Sequence, residues 1–350
     1  MVRVGIAGVG FMGWIHYLAY RRVAEVELAA ICTRNEQKLA GDWTTIRGNF
    51  GPPGQKIDTS GMARYRSLEQ LIADPSVDLI DICLPPHLHG SAAIAALNGG
   101  KHVFCEKPIS LTTKECDDMV AAAKANDRLL MIGHVLPYFP EYAQVLKWAR
   151  EGTFGAVRGG TFRRVISDPQ WIADFFDPRR VGGPLVDLHI HDAHFIRLLF
   201  GMPSSLTSNG RMRGDVVEYC HTLFSFDDRD HVVHAECGVI AQQGRPFTHG
   251  FEISFERATV AYDFSVEGSE GVTSKPLTLF DADGGVEQPA LAGGDEITPF
   301  EQEIAEVVRA IESNAPSGIL GGDLARDALI LCHGQTESVR SAAAWHVSPQ

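Results

Sequence analysis

The first thirteen residues constrain this chain more than any other feature. The apolar run Val2–Ala7 leads directly into Gly8-Val9-Gly10-Phe11-Met12-Gly13, a GxGxxG turn. Gly8 permits the tight turn off a strand, Gly10 lets the backbone approach a pyrophosphate, and Gly13 lets the next helix pack closely on the sheet. A helix N-terminus placed there offers free N–H groups to phosphate oxygens. The motif alone is weak evidence. Here it follows a strand, precedes a helix over Trp14–Arg22 and opens a βαβ unit of the right length. Gly8, Gly10, Phe11, Met12 and Gly13 are therefore expected to hold the pyrophosphate of a dinucleotide.

The second strand, Val26–Ile31, should end about 20 residues further on at the group that reads the adenosine ribose. That place is Cys32-Thr33-Arg34. An acidic residue there would accept from a 2′-OH and repel a 2′-phosphate. The Thr33 hydroxyl and the Arg34 guanidinium suit a 2′-phosphate instead, so NAD(P) is expected with NADP preferred over NAD. The alternative is that Arg34 stacks on adenine or faces solvent.

Through residue 132 the chain alternates strand and helix. Strands are expected at Val77–Leu84, His102–Cys105 and Leu129–Ile132, and helices at Ser67–Ala73, His89–Asn98 and Thr112–Asn126. Continuous apolar strands separated by helices imply a parallel sheet covered on both faces. Residues 41–64, punctuated by glycine and proline, read as a surface insertion, with a cover over the cofactor as the alternative. After residue 133 come serial β-rich runs: Val157–Val165, Tyr219–Phe226, His231–Val239, Phe251–Phe255, Thr259–Phe264 and Leu277–Phe280. A helix at about Asp187–Phe200 is embedded early, and helices at about Phe300–Asn314 and Leu324–Ala344 close the chain.

The expected fold is α/β: a doubly wound parallel Rossmann sheet over residues 1–132, then an α/β domain over 133–350 with a large, mostly antiparallel open sheet. The second domain is assigned substrate binding and oligomerisation, with the last helix packing back on the first. A length of 350 residues accommodates two domains. A net charge of −13 without a basic run argues against nucleic acid. The seven scattered cysteines form no CxxC pair and read as reduced thiols. Neither a signal peptide nor an apolar stretch of about 18 residues is evident, so the expectation is a cytoplasmic protein with no membrane partner.

Two segments carry chemistry. Glu106-Lys107-Pro108 follows the strand His102–Cys105, and strand C-terminal ends in a doubly wound sheet face the ligand. A lysine there can polarise a carbonyl or hold a hydroxyl, and Pro108 restricts Lys107 to extended backbone. A solvated surface lysine is the plainer alternative. The second segment is Gly182-Gly183-Pro184-Leu185-Val186-Asp187-Leu188-His189-Ile190-His191-Asp192. The spacing of four puts Asp187 and His191 on one helix face, with His194 beside them. Hydride transfer from an alcohol needs a base for the hydroxyl proton, a role suited to His191 with Asp187 in support. Asp192 points elsewhere. The histidines and Asp187 lack a recognised zinc spacing, so no metal is expected.

These motifs in this order, with the Leu84-Pro85-Pro86-His87-Leu88-His89 strand end and Gly100-Lys101-His102-Val103-Phe104-Cys105-Glu106-Lys107-Pro108, resemble the glucose–fructose oxidoreductase / inositol dehydrogenase / MocA (Gfo/Idh/MocA) family over the whole chain. The resemblance implies oxidation or reduction of sugars, cyclitols and related polyols with NAD(P). It implies Lys107 on the nicotinamide ribose and substrate hydroxyl, His191 as general acid/base and Asp187 as its support. Glu106 and Pro108 would shape the nicotinamide pocket. Leu84, Pro85 and His89 would line the cofactor crevice. A homodimer or homotetramer through the open sheet is implied as well.

Three departures from the family pattern stand out. His189 replaces a glycine two places before the catalytic histidine, which would add bulk or a polar group near the site. His134-Val135-Leu136-Pro137-Tyr138-Phe139-Pro140 lacks an arginine usual at Pro137. Thr33 replaces the more usual acidic residue. Substrate specificity is placed on loops near Arg163, Arg164, Trp171 and 241–250, with Arg163 and Trp171 as candidate contacts. The alternatives are an NAD(P)-binding ligand sensor or regulator of the same fold, and a dihydrodiol or xylose dehydrogenase sharing the chemistry.

Overall fold

The computed structural model describes residues 1–227 and 230–347. Among them the chain forms two compact units: Met1–Tyr138 with Gly293–Arg326, and Phe139–Ala292 with the chain from Asp327 onward. In the first unit, β1 (Val2–Ala7), β2 (Val26–Cys32), β3 (Ala63–Tyr65), β4 (Leu79–Ile82), β5 (His102–Glu106) and β6 (Leu130–Gly133) line up as β3-β2-β1-β4-β5-β6. Every pairing is parallel. Val4, Ile6, Leu79, Ile80, Ile82, Val103 and Phe104 are completely buried, as strands covered on both faces must be. Helices α1 (Phe11–Tyr20), α2 (Glu36–Leu39), α3 (Leu68–Ile72), α4 (His89–Asn98) and α5 (Thr113–Ala125) make the connections. The strand order reverses between β1 and β4, so the glycine turn after β1 lies at the switch point where doubly wound sheets take ligands.

The second unit holds a nine-stranded sheet. Its members are β7 (Val157–Ser167), β8 (Ser205–Arg213), β9 (Val216–Ser225), β10 (Val232–Ile240), β11 (Phe247–Phe255), β12 (Ala258–Glu267), β13 (Glu270–Asp281), β14 (Val286–Glu287) and β15 (Trp345–His346). They run in the order β14-β13-β12-β11-β7-β10-β9-β8-β15, antiparallel except for the β7/β10 pair. Helices α6 (Pro140–Glu151) and α7 (Ile190–Phe200) cover one face. Tyr142 of α6 and Phe195 of α7 pack edge to face, and Tyr142 also meets Phe251 of β11.

Two elements here escape the sequence pattern. Helix α6 carries its own signals: Pro140 in the first turn, buried Tyr142, Val145, Leu146 and Trp148 at helical spacing, and a left-handed Gly152 at the stop. Strand β8 is SLTSNGRMR, too polar to show alternation. It is held by neighbours instead: Ser208 N–H donates to Ser338 Oγ and the Ser208 and Thr222 hydroxyls bond at 2.8 Å.

The closing helices α8 (Thr298–Ser313) and α9 (Gly322–Ser341) correct the expected extents. The sequence places 133–350 in the second domain, with the last helix packing back on the first, whereas α9 from Asp327 onward lies in the second unit. It is α8 that belongs to the first unit, where Phe300, Ile304, Val307 and Val308 share a core with Val4, Trp14 and Ile15. The following turn pairs back on β6, Ile132 N–H donating to Leu320 O at 2.8 Å. The insertion at 41–64 is also more than a passive loop. Trp43 is completely buried against Trp14 and Tyr17, Trp14 Nε1–H donates to Pro52 O, and residues 63–65 supply the edge strand β3.

Candidate functional site

The glycine turn has the geometry that a pyrophosphate needs. Gly8 has φ +105°, and a Cβ there would lie 2.5 Å from Cys83 O, so only glycine fits between β1 and the end of β4. A Cβ on Gly13 would lie 2.2 Å from Gly8 O, which fixes glycine where α1 crosses the strand. Gly10 differs: it is the N-cap of α1 at φ −104°, and a Cβ there would meet nothing within 4 Å. Folding does not require glycine at position 10, whereas close approach of a phosphate does. Gly10→Ala is therefore expected to melt near the wild-type temperature yet bind NADPH and NADH at least about tenfold more weakly. Isothermal titration beside a thermal melt checks both halves.

Beyond the turn, Thr33 is half-buried and Arg34 is exposed at the end of β2. Asn35 caps α2, its side chain accepting from Lys38 N–H. Lys38 is a residue that sequence reasoning missed. Its Nζ donates to Val9 O at 2.6 Å, setting an ammonium against the glycine turn. Its place one turn beyond Arg34, on a helix opened by Asn35, was the available signal.

The remaining first-unit candidates gather at the ends of β4 and β5. Leu84 and Lys107 are half-buried, Pro85 is exposed, and the Lys107–Pro108 peptide is cis. Two expected cofactor-lining residues are not open. His89 is 1% exposed, with its ring nitrogens 2.7 Å from Pro108 O and Leu84 O. It ties the two strand ends together from behind rather than lining a crevice. Glu106 is also buried, its carboxylate bonded to His16 Nε2 at 3.0 Å, so it shapes the ends of β5 and β6 from beneath.

In the second unit, Gly182 and Gly183, both at positive φ, lead into a π-turn over Leu185–His189 that continues as α7. Such turns concentrate at functional sites because the wider ring re-aims side chains. Asp187, Leu188 and His191 stay half-buried while His189, Asp192 and His194 turn inward. The expectations for two histidines are thereby corrected. His194 is fully buried and does not join Asp187 and His191 on an accessible face. His189 is completely buried and adds nothing to an open site. Its Nδ1 lies 3.5 Å from Asp192 Oδ2, and its Nε2 is 3.1 Å from the Gln335 amide nitrogen.

Behind this segment Arg164 grips Asp192 with two bonds of 2.7 and 2.9 Å, both side chains buried. Burial works against the Asp192 carboxylate, but the Arg164 charge together with the hydrogen bonds from His189 and Arg164 outweighs it and holds the group well below the usual carboxylate range. Beside them His249 Nδ1 and Tyr142 OH share a hydrogen bond of 2.9 Å, and burial, with the Arg164 charge adding to it, keeps the imidazole neutral with a pKa of about 3. Arg164 is therefore an anchor for α7 rather than a specificity residue. Arg163, its neighbour on β7, projects to the opposite face. There it pairs with Asp263, away from α7, so a substrate contact from Arg163 is not supported. Trp171 is 69% exposed in the loop after β7.

One group of potential metal donors, His16, Asp81 and Cys83, lies within 4.8 Å among the described residues. His16 Nδ1 and Asp81 Oδ2 are 2.8 Å apart, the length of a hydrogen bond. Two ligands at about 2.0 Å from one tetrahedral ion would stand about 3.3 Å apart. The spacing fits a proton between them.

Comparison with known proteins agrees with this geometry. Residues 2–134 match the family described as "Oxidoreductase family, NAD-binding Rossmann fold", and residues 142–261 match the "GFO/IDH/MocA C-terminal domain". The uncharacterized oxidoreductase YdgJ of Escherichia coli is 28% identical over 73% of this chain and 70% of its own length. The NADP(+)-dependent scyllo-inositol 2-dehydrogenase IolU of Bacillus subtilis is 26% identical over 60% of this chain and 62% of its own. Other curated relatives are matched over 41% to 76% of their length. A levoglucosan dehydrogenase solved with NADH and levoglucosan superposes with a TM-score of 0.79 at 22% identity, covering 100% of both chains, which establishes the shared fold. Both halves of the chain thus carry the same signature, and the protein belongs to the Gfo/Idh/MocA family of NAD-binding oxidoreductases.

Proposed function

We propose that this oxidoreductase passes a hydride between nicotinamide C4 and a carbinol carbon of a sugar, cyclitol or related polyol. The observation that carries the reading is the placement of three polar groups that family members use. Lys107 stands half-buried at the end of β5, and Asp187 and His191 remain reachable where a π-turn passes into α7. Lys107 would hold the substrate hydroxyl and the nicotinamide ribose. His191 would take the hydroxyl proton during oxidation and return it during reduction, and Asp187 would support the charged ring. The nicotinamide, when bound, supplies the hydride acceptor. Relatives named for scyllo-inositol and levoglucosan support the substrate class. The test is a panel of cyclitols, aldoses and anhydrosugars with NAD⁺ or NADP⁺, followed at the absorbance band of the reduced nicotinamide. Turnover of at least one polyol is expected, and none with any would sink the reading.

NADP is the preferred cofactor in this proposal. The support is chemical: a hydroxyl at Thr33, a guanidinium at Arg34 and the Lys38 ammonium against the turn, with no carboxylate at the end of β2. Charge-assisted bonds contribute about 1.5–3 kcal/mol, so Arg34→Ala should weaken NADPH at least about tenfold while leaving NADH nearly unchanged. Fluorescence titration of the stripped protein reads both, and equal losses would refute the preference. We also infer a homodimer or homotetramer through the sheet face opposite α7, where Leu223 and Val232 are exposed. The cysteines, free among the described residues, fit a reducing, cytoplasmic setting.

A further inference from the structure

The Lys38 ammonium is bonded to a carbonyl of the glycine turn that the fold otherwise leaves without a donor. Val9 is 4% exposed, and helical bonding starts only one residue later, where Trp14 N–H donates to Gly10 O at 3.0 Å. Among the described residues no backbone N–H reaches Val9 O. A buried carbonyl needs a partner, and Lys38 Nζ supplies one at 2.6 Å. A charged donor makes the stronger kind of hydrogen bond.

The insertion at 41–64 seats this lysine. Asn35 Oδ1 accepts from Lys38 N–H at 3.1 Å, while Lys38 O accepts from Trp43 Nε1–H at 2.8 Å and from Gly41 N–H at 3.1 Å. Trp43 is itself completely buried against Trp14 and Tyr17 of α1. The insertion meets the turn again at Gly48, where a Cβ would lie 1.8 Å from the Phe11 ring. Residues 41–48 thus tie α2 to the start of α1.

The peptide that Lys38 holds has a second orientation open to it. Turning the Val9–Gly10 plane over would carry Gly10 from φ −104° to positive φ, which glycine tolerates. A trans peptide carries its C=O and N–H on opposite edges. As observed, the carbonyl faces Lys38, and Gly10 N–H points the other way with no acceptor among the described residues. The flipped peptide would put a carbonyl oxygen in its place. That partial negative charge would stand beside the N–H groups of the first turn of α1, which has no side-chain cap.

We propose that Lys38 is a positioning residue for the glycine turn: its bond to Val9 O holds the Val9–Gly10 peptide with the N–H, not the carbonyl, turned towards a phosphate. The consequence for binding rests on the pyrophosphate reading of this turn. Lys38 then has two effects. Its charge adds to the field that favours NADPH, whereas its bond acts on the pyrophosphate that NADH and NADPH share.

The experiment compares Lys38→Met, which keeps most of the apolar stem and removes the donor, with the wild-type full-length protein. Both are labelled with ¹⁵N-glycine, and the Gly10 amide resonance is identified by its loss in Gly10→Ala. In Lys38→Met the Gly10 resonance should move or double while glycines of the second unit keep theirs. Titration should show NADH and NADPH both weakened about tenfold, at a melting temperature within a few degrees of wild type. A Gly10 resonance that stays in place overturns the proposal. So does a loss confined to NADPH, which would make Lys38 a reader of the 2′-phosphate alone. So does unchanged binding of both cofactors by Lys38→Met when Gly10→Ala weakens them. If Gly10→Ala binds both as wild type does while the Gly10 resonance still answers to Lys38→Met, the pyrophosphate reading of the turn fails and the hold on the peptide stands.

Discussion

Replacing Lys107 with alanine is expected to lower turnover about 10²–10³-fold while NADPH still binds, the usual cost of removing one fixed electrostatic group aimed at a reacting oxygen. The effect should fall on kcat more than on cofactor affinity. On the proposed reading the pyrophosphate would be gripped by the glycine turn after β1, whereas Lys107 stands at the end of β5, two strands away across the sheet order. Stability should change little, since Lys107 is half-buried and contributes no core surface. Steady-state kinetics with an active polyol, together with a fluorescence titration of NADPH, separate the two effects. A variant with near wild-type kcat would remove Lys107 from the reaction.

His191→Asn should cost about 10²–10⁴ in rate, the range for a lost general base. The fold should tolerate it, because α7 is anchored by other side chains. Asp192 pairs with Arg164, His189 meets Gln335, and Phe195 packs on Tyr142 and Phe162. Breaking the buried Arg164–Asp192 pair would instead disturb the whole helix by leaving a charge unpaired. The contrast separates a residue that reacts from residues that hold it. Single-turnover kinetics with bound NADP⁺ give the comparison, and a melting temperature within a few degrees of wild type shows that the loss is chemical.

Much of this was legible in the sequence where local chemistry and long-range packing agree. The Gly8 and Gly13 roles follow from backbone contacts that any strand–turn–helix of this kind must make, and the structure shows both contacts. His89 was placed correctly along the chain but not in depth. Its position at a strand end said nothing of the carbonyls of Leu84 and Pro108 that enclose it. The bulk that the resemblance places near the site at His189 is absent, because this residue turns inward within the π-turn Leu185–His189, which its position two residues before His191 does not announce. The His16–Asp81–Glu106 cluster joins residues 65 and 90 positions apart, and only the parallel order of β1, β4 and β5 brings them together. The return of α8 to the first unit was hidden for the same reason. Its apolar stripe is plain in the sequence, but the stripe does not name the surface it covers.

The most direct test of the central claim traces the hydride. The wild-type protein is loaded with NADP⁺, incubated with a polyol deuterated at its carbinol carbons, and the nicotinamide is examined by mass spectrometry. Hydride transfer predicts one deuterium in the reduced nicotinamide, present with wild type and reduced to a trace with His191→Asn. Bound cofactor that stays oxidised and free of deuterium with every polyol offered would contradict the account. It would leave a dinucleotide-binding sensor on the same fold.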